Sequence, residues 1–127
     1  AEGDQKALGE AFWDWGIPTA ASVVQLNGLG LGICATGGVR NGVEIARAIA
    51  IGAACGGIAR PFLQAHARGG RAEVRQVAER IIAEIRIATL LSGSRTLAEL
   101  RRKPVLMGGR LRRWVPAGAP VSARILG

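Results

Sequence analysis

The chain has 127 residues, of which 49% are hydrophobic, and a formal net charge of +8. That length suits a single domain of ordinary size, and that apolar content excludes a disordered chain. Aromatic residues make up only 4%, leaving few rings on which bases stack, so a nucleic-acid role is not favoured despite the charge. The charge is also uneven: residues 1–67 carry four basic and five acidic groups, residues 68–127 thirteen and four. Such a field draws anionic partners of any kind without naming one.

In chain order, the first segment is polar and shows no secretory leader, and Ala7 to Trp15 reads as a short helix with Leu8, Phe12 and Trp15 on one side. Trp13 and Trp15 read as packing residues of a core or an interface. Gly16-Ile17-Pro18-Thr19 is a turn, Thr19 a helix N-cap, and Asn27-Gly28 the stop of the helix that follows. The apolar run from Leu29 to Ala35 predicts a strand buried on both faces. Gly37-Gly38 closes it, and Asn41 or Gly42 opens a helix with Val43, Ala46, Ile49 and Ala50 on its apolar side. A second strand is expected over Ala53 to Ala59, ended by Pro61.

Gly69-Gly70 precedes a long helix, about Ala72 to Leu91, with an apolar stripe of Val74, Val77, Ile81, Ile85 and Ala88. Its Arg75, Glu79, Glu84 and Arg86 lie off that stripe. Thr96-x-x-Glu99 is a capping box opening a short helix from Leu97 to Arg102, and Val105-Leu106-Met107 reads as extended. The tail from Val115 shows little ordering signal. Arg101-Arg102-Lys103 and Arg110-x-Arg112-Arg113 read as solvated faces. Cys34 and Cys55 fall in apolar strands and read as buried small hydrophobes in a reducing compartment. The longest apolar stretch is broken by Arg47 and several glycines and is too short to span a bilayer, so a cytoplasmic protein is expected.

A strand–helix–strand unit this compact requires a right-handed crossover, so both glycine turns end on one sheet edge. Strand ends on that edge, followed by glycines and then helices, aim backbone N–H groups at a common point, where a phosphate is the natural occupant. Two central parallel strands cannot bury both faces and both edges alone. The arithmetic therefore points to a portion of a larger barrel.

Three runs carry a resemblance. Phe12-Trp13-Asp14-Trp15-Gly16-Ile17-Pro18-Thr19-Ala20 is followed by Ala35-Thr36-Gly37-Gly38-Val39-Arg40-Asn41-Gly42 and by Gly57-Ile58-Ala59-Arg60-Pro61-Phe62-Leu63. Together with Leu91-Ser92-Gly93-Ser94-Arg95-Thr96-Leu97-Ala98-Glu99-Leu100, the chain resembles the C-terminal third of type II, FMN-dependent isopentenyl-diphosphate delta-isomerase. The Gly-Gly-x-Arg and Ala-Arg-Pro turns are shared with other FMN barrels, including the 2-hydroxy-acid oxidases. Those oxidases would want a catalytic His before this region, whereas the only His here is His66, past the second turn.

The resemblance implies an α/β fold, the C-terminal portion of a TIM (β/α)8 barrel with its last two parallel strands. Its division would be a loop and helix over 1–28, two βα units over 29–67, and C-terminal helices and tail over 68–127. It implies FMN bound through Gly37, Gly38, Val39, Arg40, Ala59 and Arg60, with NADPH as reductant. Mg²⁺ would sit on the diphosphate of isopentenyl or dimethylallyl diphosphate, its ligands and the catalytic residues lying outside this chain. It implies a homo-oligomer and no membrane. An FMN oxidoreductase of the hydroxy-acid oxidase type, or an inactive anion- or nucleic-acid-binding fragment, is the alternative.

Overall fold

A computed structural model describes residues 2–126, with side chains from residue 4 onward. The order is α1 (Glu2–Ala11), α2 (Thr19–Leu26), β1 (Cys34–Ala35), α3 (Gly42–Ala50), β2 (Cys55–Gly56), α4 (Arg60–Leu91), α5 (Leu97–Leu100), β3 (Val105–Leu106), α6 (Gly109–Arg112), a 3-10 turn (Ser122–Arg124) and β4 (Ile125–Leu126). No helix is long and apolar enough to cross a membrane, among the described residues.

β1 and β2 pair in parallel, Cys34 opposite Cys55 and Ala35 opposite Gly56, with α3 as the crossover. Both strands are far shorter than the apolar runs predict. Gly28 and Gly30 take φ of 111° and 75°, so the chain turns through residues 28–31 instead of extending. At the other end Ala59 has already entered the helical region as the N-cap of α4. Bonds from Ala54 N–H to Ile33 O and from Gly57 N–H to Ala35 O, both 2.8 Å, lengthen the ladder by one step each way.

α3 is the centre of the molecule. Asn41 Oδ1 accepts the Glu44 N–H at 2.9 Å and starts the helix, an N-cap that satisfies one of its orphan donors. Gly52, with φ of 127°, turns the chain just beyond Ile51. One side of α3 gives Ala48 to a core that gathers Val23 and Val24 of α2, Ala35, Met107 and Val121. The other side gives Ile45, Ala46 and Ile49 to a second core with Ala65, Val77 and Ile81 of α4. Burial of each large aliphatic side chain is worth roughly 1.5–3 kcal/mol, so the two cores hold α3 from both sides. Val43 is exposed instead, because the buried arc of this helix is centred on Ile45, Ala46 and Ile49.

Two expectations for the second half of the chain need correction. Residues 60–68 are helical, so α4 starts at Arg60 with Pro61 in its first turn, and Gly69 and Gly70 form a non-helical elbow between two legs. The tail after Val115 is ordered: Val121 is fully buried and β4 pairs in parallel with β3. Its Arg124 donates to Ala50 O at 2.9 Å and Lys103 O at 2.8 Å, closing the chain end onto α3. Partial burial lowers the pKa of that guanidinium from its ordinary value. Arg101 is exposed, as expected of a solvated face, and its guanidinium also donates to Ala53 O at 3.1 Å.

The capping box is as expected, Thr96 Oγ1 accepting from Glu99 N–H at 3.1 Å and Glu99 Oε2 from Arg95 N–H at 2.8 Å. The α4 stripe is also as expected, with Val77 and Ile81 buried and Val74, Ile85 and Ala88 packed beside them. Trp13 and Trp15 belong to no core among the described residues, being 89% and 82% exposed. Phe12 and Trp15 meet edge to face with ring centroids 6.0 Å apart.

Candidate functional site

Both loops reach the same edge because β1 and β2 are parallel and in register. Gly37 and Gly38 follow Ala35 by two and three residues, as Ile58 and Ala59 follow Gly56. Gly37 and Gly38 take φ of 91° and 79°, a region that residues with a Cβ rarely enter. Around the position of a Gly38 Cβ there is nothing within 4 Å, so the backbone there faces open space. The N–H groups of Gly38, Val39, Ala59 and Arg60 have no protein acceptor among the described residues.

The second loop runs straight into α4. Ala59 is its N-cap without a side-chain hydrogen bond, and no acidic residue sits in the first turn. An uncapped helix start offers free N–H groups and the positive end of the helix dipole to an anion.

Arg40 and Arg60 meet across this edge. With Pro61, Gln64, Arg68, Val77 and Arg80 they line a cleft of about 380 Å³, framed by the two legs of α4. Arg68 lies 3.5 Å from Glu73 and Arg80 3.8 Å from Glu84, whereas Arg40 and Arg60 have no carboxylate partner among the described residues. The elbow at Gly69-Gly70 creates this cleft by turning the second leg back alongside the first. Sequence reading missed the cleft because it missed the first leg.

Two details were not visible in the sequence. Thr19, expected as an N-cap, donates its hydroxyl to Gly37 O at 2.5 Å and to Thr36 O at 3.2 Å, while Pro18 holds the cap position. The hydroxyl thereby pins the turn that carries Gly38. Arg40 N–H is occupied: it donates to Glu44 Oε2 at 2.7 Å. The available donors on the first loop are therefore the amides of Gly38 and Val39 and the Arg40 guanidinium.

A second cavity of about 510 Å³ is lined by the turn itself, at Gly37, Gly38 and Val39, together with residues of α2, α3 and β3. Its lining is mainly apolar, with Thr19, Glu44 and Arg47 as its polar side chains. A carboxylate and a single guanidinium make it a poorer phosphate site than the four-arginine cleft.

The sequence profile of FMN-dependent dehydrogenases matches residues 17–107, spanning β1, β2 and both loops. The chain belongs to the FMN-dependent dehydrogenase family. Within it, curated relatives named isopentenyl-diphosphate delta-isomerase are similar to this chain. That of Sulfurisphaera tokodaii is 43% identical over 106 residues, covering 82% of this chain and 28% of the relative. That of Methanothermobacter thermautotrophicus is 43% identical over 113 residues, covering 88% and 32%. The chain thus spans about a third of the length of these relatives. Among solved structures, a mandelate oxidase with benzoyl-formic acid superposes with a TM-score of 0.67 at 29% identity, over 70% of this chain and 28% of that one. This family member has an α/β fold that is part of a TIM barrel, its two parallel strands and their helices forming one sector of the ring.

Proposed function

We propose that this chain supplies the phosphate-gripping end of an FMN site in an enzyme that interconverts isopentenyl and dimethylallyl diphosphate. The observation that carries the flavin part is the meeting of Arg40 and Arg60 in one cleft, with the acceptor-free amides of Gly38, Val39, Ala59 and Arg60 on the two loops that carry these arginines. The residues fit the terminal phosphate of FMN: N–H groups of Gly38, Val39, Ala59 and Arg60 as fixed donors, two guanidiniums as charge partners, and no carboxylate paired to either. Gly37 contributes through its conformation, and its carbonyl is turned to Thr19. Reduced FMN supplies the proton shuttle between the substrate carbons. The work of these residues is to bind the phosphate and hold the cofactor's far end at the strand edge.

The isomerase reading rests on the curated relatives, at 43% identity, against 29% for the mandelate oxidases. His66, the sole histidine, is exposed on α4 beyond the second loop, which is no support for an oxidase base. On this reading residues 1–127 are the C-terminal part of one barrel domain, and the substrate, Mg²⁺ and catalytic groups are held by the remainder. NADPH serves as reductant, and the whole protein is a cytoplasmic homo-oligomer.

The test is a chimaera in which residues 17–107 replace the matching stretch of the Sulfurisphaera tokodaii relative. With FMN, NADPH and Mg²⁺ it should interconvert the two diphosphates and lose activity when Arg40 and Arg60 are both replaced by Ala. A soluble, flavin-loaded chimaera that turns over 2-hydroxy acids but neither diphosphate would assign the oxidase reading instead.

A further inference from the structure

Two helices of this chain open on the same device. At α3, Asn41 Oδ1 accepts the Glu44 N–H at 2.9 Å and Glu44 Oε2 accepts the Arg40 N–H at 2.7 Å. At α5, Thr96 Oγ1 accepts the Glu99 N–H at 3.1 Å and Glu99 Oε2 accepts the Arg95 N–H at 2.8 Å. In both, the carboxylate reaches the amide of an arginine that precedes the cap, one residue further out than in the ordinary capping box. Each device satisfies two backbone donors, so as helix starts the two are equivalent.

Their surroundings are not. Arg95 lines a groove between α4 and α5 with Ile82, Leu90 and Leu97. Arg40 lines the arginine cleft, and the two residues before it carry the acceptor-free amides of Gly38 and Val39. Those two amides lie between two anchors. On one side the Thr19 hydroxyl holds the carbonyls of Thr36 and Gly37, and on the other Glu44 holds the Arg40 N–H. Glu44 makes no ion pair with the Arg40 guanidinium among the described residues. It therefore fixes where that side chain starts and leaves its charge to the cleft.

We propose that Glu44 is a positioning residue for the phosphate of FMN, a role that its twin Glu99 does not share. It acts through Arg40. By holding the last residue of the loop, it sets the Gly38 and Val39 amides and the guanidinium in place before the anion arrives, so that these donors lose little freedom on binding. The proposal rests on the phosphate reading given above.

The test is fluorescence titration of the 127-residue chain and its variants with FMN and with riboflavin, beside urea unfolding. Glu44→Ala should weaken FMN at least about threefold and leave riboflavin unchanged, because only the charge-assisted contacts of the phosphate end are displaced. Glu44→Gln keeps an acceptor for the Arg40 N–H and should restore the parental preference. Glu99→Ala removes the matching bond at α5 and should cost similar stability with the preference for FMN intact. Glu44→Met fills the same space without an acceptor and serves if the alanine variant folds poorly.

A parental preference for FMN in Glu44→Ala or Glu44→Met would overturn the proposal. An equal loss of both flavins, or the same loss in Glu99→Ala, would reduce Glu44 to a helix cap. Tighter FMN binding by Glu44→Ala would mean that the Arg40 amide is itself a phosphate donor that Glu44 withholds, which also overturns it. A parent chain that binds FMN and riboflavin equally would instead overturn the phosphate reading, and this proposal with it.

Discussion

Gly42 donates its backbone N–H to Glu84 Oε2 at 2.6 Å, joining the start of α3 to the second leg of α4 across 42 residues of chain. A Cβ at Gly42 would collide with the Ile81 carbonyl oxygen and stand 2.7 Å from Glu84 Cβ. Gly42→Ala must therefore push the two helices apart, at a cost of about 2 kcal/mol. Glu84→Ala leaves a buried N–H unpaired and costs about 1–2 kcal/mol. Urea unfolding measures both, and the double variant should lose less than the sum because the two residues share one contact. A Gly42→Ala chain as stable as the parent would mean that the helices are not packed this closely.

Thr19 reaches from α2 to the carbonyls of Thr36 and Gly37, and so holds from outside the loop proposed to grip the phosphate. Thr19→Val removes those two bonds with little change of shape. It should lower stability by about 1 kcal/mol and also weaken FMN binding, read by flavin fluorescence titration. Thr19→Ser keeps the hydroxyl and should restore both. Loss of stability with unchanged flavin affinity would reduce Thr19 to a packing residue.

Thr96→Ala should cost about 1 kcal/mol in urea unfolding by removing the hydroxyl oxygen that accepts the Glu99 N–H at the start of α5. The effect should leave flavin affinity unchanged, since α5 does not line the arginine cleft.

Cys34 gives a pH dependence of definite sign. Its folded pKa lies above the ordinary thiol value, chiefly through the hydrogen bond to Cys55. Below the ordinary value the thiol is neutral in both states, and its contribution to stability is fully present. As pH rises through the window between the two values, the unfolded chain ionises first, and the contribution is lost. Unfolding followed in reductant at increasing alkaline pH should show this decline, and Cys55→Ala should flatten it.

The local grammar of the chain was legible in the sequence. Asn41 and Thr96 announce helix starts through side chains that act within three residues, and the α4 stripe announces its buried face by periodicity alone. The Gly37-Gly38 turn was legible too, because positive φ selects glycine. What could not be read depends on distant partners. Residues 60–68 are helical although Pro61 suggested a strand end, since a proline in the first helical turn costs nothing.

The order of the tail is set by Val121 and Arg124 finding partners far back in the chain, at α3 and Lys103. Thr19 suits an N-cap equally well, and only the arrival of β1 beside it redirects its hydroxyl. The Arg40–Glu44 contact likewise removes one expected phosphate donor by a side-chain choice that spacing does not reveal.

FMN and riboflavin differ by the phosphate alone, so their affinities for this chain test the phosphate clamp most directly. Fluorescence titration should give FMN at least about tenfold tighter binding than riboflavin, a difference of about 1.4 kcal/mol from charge-assisted contacts. Replacing Arg40 and Arg60 together by Ala should erase that preference, while Arg113→Ala, on the exposed basic segment, should keep it. Equal affinity for the two flavins, or a preference that survives loss of both arginines, would contradict the account.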